Sequence, residues 1–229
     1  DLHLILAPKI VSRENFSGGS RAVVDAALCS GCGKCAEVCR FDAVVRNTVS
    51  GGIQIDPIAC EGCGVCAWFC PRKAVSMRPA ANGECYVSET RRGPMVHARL
   101  GVAEENSGKL VSLVRKKARA LAEEQGKELL LTDGPPGIGC PVIASLAGAD
   151  FALIVTEPTV SGLHDLVRVA KLLRHFQMPG AVCVNKWDLN PGMTAEIEMA
   201  AGKKGLAVAD RIRYDRAFTD AQIRGLSVV

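Results

Sequence analysis

Cys29 to Cys39 reads CSGCGKCAEVC and Cys60 to Cys70 reads CEGCGVCAWFC, so eight of the eleven cysteines in this 229-residue chain repeat one pattern, C-x2-C-x2-C-x3-C. Three thiolates two residues apart can wrap one iron-sulfur cluster through a tight turn, and a fourth must arrive from elsewhere. Two copies permit an exchange of fourth ligands. Cys29, Cys32, Cys35 and Cys70 are therefore expected to hold one 4Fe-4S cluster, and Cys60, Cys63, Cys66 and Cys39 the other. Zinc is the competing reading, since four cysteines make a tetrahedral site. Zinc ligands usually come as separated C-x2-C pairs, however, and two complete runs of four fit iron-sulfur better. Gly33 and Gly64, each after the second cysteine of its copy, suit a turn where backbone comes close to a cluster. Cys85, Cys140 and Cys183 share no such spacing; Cys140 and Cys183 read as small buried packing residues, and Cys85 is not read as a ligand.

The composition frames these motifs. Hydrophobic residues make up 48% of the chain, enough for a real core, and the formal charge of +4 is spread over scattered basic residues. No apolar run approaches the roughly 20 residues of a spanning helix, and the start of the chain lacks signal-peptide features. A cytoplasmic setting is expected, where thiols stay reduced and regular cysteines read as metal ligands. With only 4% aromatic residues, base-stacking recognition of single strands is disfavoured.

The elements that must position the cysteines repeat with an offset of 31. VDAALC at Val24 aligns with IDPIAC at Ile55, and AV at Ala43 with AV at Ala74. One duplicated unit of strand, cysteine loop and helix is expected from about Arg21 to Arg78. Before it stand the apolar LHLILAP and the glycine-rich link FSGGS. After about Tyr86 strands and helices are expected to alternate. The strand candidates are 128–133, 151–158, 181–186 and 206–212, and the helical patterns are KLVSLVRKKARALAEEQG, stopped by Gly126, and VSGLHDLVRVAKLLRHFQ. This alternation predicts an α/β fold with a doubly wound, mostly parallel sheet, whose ligands sit beyond the carboxyl ends of the strands.

Those strand ends carry phosphate-type chemistry. In LLLTDGPPGIG, Asp133 ends a strand and can hold the water shell of a magnesium ion, while Gly137 can offer an amide to a phosphate. A plain strand-to-turn aspartate explains Asp133 equally well. VCVNKWDL brings Asn185, Lys186 and Asp188 to a later strand end, and IRYDRAFTDA brings Arg213, Tyr214 and Asp215 to the next loop.

Residues 21–79 resemble the bacterial two-cluster ferredoxins, with Arg40 standing where the first copy usually carries proline. The whole chain resembles the MinD/Mrp-type P-loop ATPases that carry an inserted two-cluster ferredoxin domain, on LHLILAP, SETRRGPMVHARLGVAEENSGKLVSLVR, DGPPGIGCPVIAS, ALIVTEPTVSGLHDL and VNKWDLNP. The resemblance implies a P-loop-type nucleotide-binding domain formed by 1–20 and 80–229, with an inserted α+β ferredoxin-like domain at 21–79. It further implies ATP and Mg2+ as cofactors, with Asp133 at magnesium and Gly137, Asn185, Asp188 and Arg213 about the nucleotide. Arg213 replaces the proline expected in IPYD. The partners implied are a redox or cluster-acceptor protein and a second ATPase subunit, in a homodimer or a heterodimer, with no nucleic acid and no membrane span. The glycine-rich loop ending in Gly-Lys-Thr or Gly-Lys-Ser is not in this sequence. In the family it precedes the LHL segment, so the chain is read as truncated at both ends and as a poor nucleotide binder by itself. Electron transfer gated by nucleotide turnover is the function expected; a carrier or scaffold for cluster assembly is the alternative.

Other features read as structural. Ser107 is placed as the N-cap of the helix that begins GKLVSLVR, with Lys109 just inside it. Arg115, Lys116, Lys117 and Arg119 are expected on a solvated helix face. Arg91 and Arg92 border the ferredoxin-like unit, where they are suited to docking an acidic redox partner, and a surface loop explains them as well. His3, His97, His164 and His175 share no ligand spacing.

Overall fold

The computed structural model describes residues 2–47, 51–101 and 108–228. Its elements run α1 (Leu2–Leu6), β1 (Lys9–Phe16), β2 (Gly19–Val24), α2 (Lys34–Glu37), β3 (Val44–Arg46), β4 (Ile53–Ile55), α3 (Val65–Trp68) and β5 (Val75–Ala80). They continue with β6 (Gly83–Thr90), β7 (Gly93–Leu100), α4 (Gly108–Glu124), α5 (Cys140–Leu146), β8 (Ala152–Thr156), α6 (Val160–His175) and β9 (Gly180–Asn185). A 3-10 turn (Trp187–Leu189), α7 (Pro191–Lys203), β10 (Ala207–Ile212) and α8 (Arg216–Ile223) complete the chain. Two compact units divide it: one takes the described residues of 12–86 and 98–106, the other those of 1–11, 87–97 and 107–229.

The cysteine-bearing unit shows its duplication in strand pairing. β2, the first strand of copy one, pairs antiparallel with β5, the last of copy two. In turn β3, the last of copy one, pairs antiparallel with β4, the first of copy two. Neither copy pairs its own two strands. Ala22, Cys35, Ile53, Cys66 and Val75 make a buried core between the two pairs, joined by Val24, Val44, Ile55 and Met77. The short helices α2 and α3 start in the same way, each behind a glycine in the left-handed region, Gly33 at φ 76° and Gly64 at φ 79°.

In the other unit, β8, β9 and β10 form a parallel sheet in the order β10-β9-β8. Sequential parallel strands need crossover helices, and α6 and α7 supply them. Leu166, Ala170 and Leu173 of α6 and Ile197 and Ala201 of α7 bury together with Val182 and Val184 of β9. Both helices thus cover one face. On the opposite face of β8, Leu153 and Val155 remain more than half exposed. The larger doubly wound sheet expected from the sequence is therefore reduced, among the described residues, to three parallel strands with helices on one side.

Three further expectations need correction. Residues 128–133 form no strand: Leu129 is 81% exposed and Leu131 82%. An apolar run becomes a strand only beside a partner, and no described strand pairs with it. Second, alternation does not begin at Tyr86. The chain first makes β6 and β7, neighbours in the sheet β1-β6-β7, joined through Arg91 and Arg92. Third, Arg115 does not lie on a solvated face, because its guanidinium donates to the Ala144 and Ala147 carbonyl oxygens at the C-terminal end of α5. Cations favour such carbonyls. The helices expected after residue 107 and around 160–175 are present, and Gly126, at φ 62°, follows α4. Ser107 lies outside the described residues.

Candidate metal centres

Each cysteine loop is built by the same bonds. Asp25 accepts the Ala27 amide on Oδ1 at 2.9 Å, and Asp56 accepts the Ile58 amide at 2.8 Å, so a carboxylate closes a local turn before each first cysteine. The Cys29 amide then donates to the Asp25 carbonyl at 3.0 Å and the Cys60 amide to the Asp56 carbonyl at 3.1 Å. Past that point both loops need left-handed backbone twice. Gly31 and Gly62 take φ 69° and 65°, in addition to Gly33 and Gly64. The glycine between the first two cysteines was not singled out from the sequence, although it too occurs in both copies.

The two loops border two cavities. One, enclosing about 330 Å3 with its open mouth included, is lined by Cys29, Cys32, Cys35 and Cys70 together with Lys34 and Arg72. The other, about 340 Å3, is lined by Cys39, Cys60, Cys63 and Cys66 together with Phe41 and Glu61. In each, three thiols come from one copy and one from the other. Strand exchange is the cause: Cys70 leads into β5, which pairs with β2, the strand before Cys29. Likewise Cys39 leads into β3, which pairs with β4, the strand before Cys60.

The thiols are graded in depth. Cys35 and Cys66 are buried at the start of their helices, Cys29, Cys39, Cys60 and Cys70 are half-buried, and Cys32 and Cys63 are exposed. Desolvation pushes the Cys35 and Cys66 thiols up from the ordinary value. At Cys70 desolvation acts in the same sense, but the amides of Ala74, Arg72, Val75 and Lys73 outweigh it and hold the thiol low. The Ala74 amide donates to Cys70 Sγ at 3.2 Å. An amide aimed at sulfur stabilises a thiolate, the form that binds iron. A side chain at Gly31, Gly33 or Gly64 would meet nothing within 4 Å, so there is open space beside these glycines, whereas Gly62 of the second loop lies against the Ser20 carbonyl. An all-sulfur donor set, amides facing sulfur and this clearance suit an iron-sulfur cluster. No group of three or more His, Cys, Asp or Glu side chains among the described residues is arranged for a single metal ion.

Arg40, in place of the proline at position 71, leaves the turn unaltered. Asp42 at φ 50° and Lys73 at φ 52°, which are 31 positions apart, adopt the same left-handed conformation.

The remaining candidates lie in the α/β unit. Asp133 and Gly137 sit on the irregular stretch between α4 and α5, with Asp133 exposed and Gly137 at φ 88°. Asn185 ends β9. Asp188 and Arg213 are brought together: Asp188 Oδ2 accepts from Arg213 Nε at 3.3 Å, while Oδ1 accepts the Tyr214 amide at 2.7 Å. Lys186, in the left-handed region at φ 56°, pairs with Glu157 at 2.6 Å. The loops after β8, β9 and β10 are thus tied to one another at the carboxyl edge of the sheet. Cys183 is buried in β9. Cys140 is exposed at the first residue of α5, contrary to the buried packing role expected of it. Cys85 is buried in β6 and lines neither cavity. No described helix is long and apolar enough to cross a membrane.

Comparison with known proteins agrees with the cysteine pattern. Over 163 residues the chain is 36% identical to Uncharacterized protein MJ0578 of Methanocaldococcus jannaschii, a match covering 71% of this chain and 55% of that protein. It is 24% identical over 116 residues to Uncharacterized protein MJ0579 of the same organism, covering 51% of this chain and 42% of that one. The chain spans about half the length of these curated relatives. Residues 28–75 match the 4Fe-4S dicluster domain family, so the chain carries a domain of that kind.

Proposed function

We propose that the chain is an electron-transfer protein in which Cys29, Cys32, Cys35 and Cys70 hold one 4Fe-4S cluster and Cys60, Cys63, Cys66 and Cys39 a second. One observation carries this reading: each cavity is lined by three cysteines of one copy and the last cysteine of the other. When bound, such clusters supply one-electron redox chemistry. The protein's share is to fix the thiols on paired strands, to aim the Ala74 amide at Cys70, and to shield Cys35 and Cys66 from water. Four thiols per cluster, one of them buried, favour resident redox centres over clusters carried as cargo.

Coupling to a nucleotide is the finer part of the proposal. The α/β unit, on residues 1–20 and 80–229, is read as a MinD/Mrp-type ATP- and Mg2+-binding domain around the 21–79 ferredoxin domain. Asp133, Gly137, Asn185, Asp188 and Arg213 would face the nucleotide. The parallel strands and the linked loops at their carboxyl edge support this, since ligands of such sheets bind there. A redox partner and a second ATPase subunit would complete the system.

The test is anaerobic reconstitution with iron and sulfide, followed by iron analysis, electron paramagnetic resonance of the reduced protein and titration with ATP and Mg2+. About eight iron atoms per chain and two reducible clusters are expected. Iron well below eight would sink the two-cluster reading. Ready transfer of clusters to an apo-acceptor would favour a carrier, and no nucleotide binding by a form bearing a phosphate loop would remove the ATPase reading.

A further inference from the structure

The offset of 31 pairs Ser30 with Glu61, Lys34 with Val65, Phe41 with Arg72 and Arg46 with Met77. The copies therefore differ in charge at these matched positions, among others. Exchange of the fourth ligand sorts this difference instead of averaging it. Lys34 comes from copy one and Arg72 from copy two, yet both line the cavity of Cys29, Cys32, Cys35 and Cys70. Arg46 Nη2 donates at 3.5 Å to the carbonyl of Gly31, inside the loop between Cys29 and Cys32. The second cavity has Glu61, Val65 and Phe41 in its wall.

Neighbouring charges modify this contrast without reversing it. Glu37 pairs with Lys34 at 3.0 Å and offsets part of its charge. Lys73 follows Arg72 on the first side. On the second side Arg40 and Asp42 flank Phe41 with opposite signs.

We infer that the cluster on Cys29, Cys32, Cys35 and Cys70 is the more readily reduced of the two, so that Lys34, Arg46 and Arg72 draw electrons from the Cys60 side of the domain to the Cys29 side. The inference rests on the ligand sets proposed above. Adding an electron adds one negative charge, which nearby cations stabilise and a nearby carboxylate opposes. The Ala74 amide at Cys70 Sγ acts in the same direction as the cations. One electron enters from a low-potential one-electron reductant, passes to the Cys29 side and leaves to a one-electron acceptor. No bond forms or breaks and no proton moves.

The experiment is a redox titration of the reconstituted full chain, followed by electron paramagnetic resonance. Iron content and two spins on full reduction are measured first, because they test the ligand sets independently of the potentials. About eight iron atoms and two spins are expected, and about four with one spin would overturn the ligand sets and this inference together. Two one-electron steps are expected in the titration. Exchanging the cations for their counterparts (Lys34→Val, Arg46→Met and Arg72→Phe together) lowers the upper step by about tenfold in partition, or about 59 mV for one electron. Glu61→Ser raises the lower step. Both steps draw closer as salt rises, because the charges are exposed to screening. With iron and spins intact, a triple variant that moves the lower step, a Glu61→Ser protein that moves the upper one, or two variants that move neither would overturn the inference.

Discussion

The Asp25 amide donates to the Ala74 carbonyl oxygen at 2.7 Å, and the Asp56 amide donates to the Ala43 carbonyl at the same distance. Each bond ties the start of one cysteine loop to a residue four positions beyond the last cysteine of the other copy. Ala43 and Ala74 are each only 2% exposed, so the accepting ends of these crossings are buried, and an unmade bond would leave a desolvated carbonyl. The bonds hold the fourth thiol of each set beside the first three. A duplicated sequence thereby yields two sites that depend on both copies.

That dependence can be read by counting iron. In the double variant Cys29→Ala with Cys70→Ala both losses fall on one proposed cluster, and about four iron atoms should remain of about eight. In Cys29→Ala with Cys39→Ala, both from the same copy, the losses fall on different clusters and iron should drop well below four. Self-contained copies would give the reverse order.

The glycines between the first two cysteines should differ in tolerance despite their matching backbone. Gly31→Ala meets open space and suffers only the left-handed conformation, about 1–2 kcal/mol. A Cβ at Gly62 would stand 2.0 Å from the Ser20 carbonyl oxygen, so β2 must shift as well. Thermal midpoints of the reconstituted variants should fall further for Gly62→Ala. Equal losses would contradict the close approach of Ser20.

Asp188 should titrate at unusually low pH. The Tyr214 amide is the main cause that holds its carboxyl below the ordinary range; Arg213 adds to it, and desolvation opposes both without prevailing. Because the folded value is depressed, the stabilising contribution is present above the unfolded value of about 3.9 and is lost as pH falls through the folded one. The Tyr214 amide resonance, followed by NMR, should therefore move with a midpoint below about 3.9 and lose that transition in Asp188→Asn. A midpoint above that value would mean that the Asp188 carboxylate is not held in this way.

The grouping of the cysteines about two cavities was legible in the sequence because their spacing is local and the duplication brings the last cysteine of each copy to the other. Strands β8, β9 and β10 were legible for a similar reason: each is a compact apolar run followed by a loop. Less legible were features that depend on a neighbour far along the chain. The run at 128–133 has the composition of a strand, but composition does not provide a pairing partner. The basic run at 115–119 looks solvated, yet the position of α5 gives Arg115 the Ala144 and Ala147 carbonyls. The turn through Arg91 and Arg92 lacks the usual Asn-Gly or Gly-Gly signal, so β6 and β7 were missed. The charge contrast between the cavities was visible in the letters, but its meaning required strand exchange.

The exposed, non-strand course of residues 128–133 can be checked directly by substitution. Leu131 is 82% exposed, and a surface substitution that touches no packed feature changes stability by at most about 0.5 kcal/mol. Leu131→Ser should therefore leave the urea midpoint of this chain almost unmoved. Val182→Ser supplies the contrast, since Val182 is fully buried between α6, α7 and the sheet, and truncation there removes packed methyl groups and buries a hydroxyl. The second change should cost several times the first, about 2 kcal/mol or more. A loss of that size at Leu131 would mean that 128–133 packs as an inner strand of this chain in solution, and would restore the wider sheet expected from the sequence.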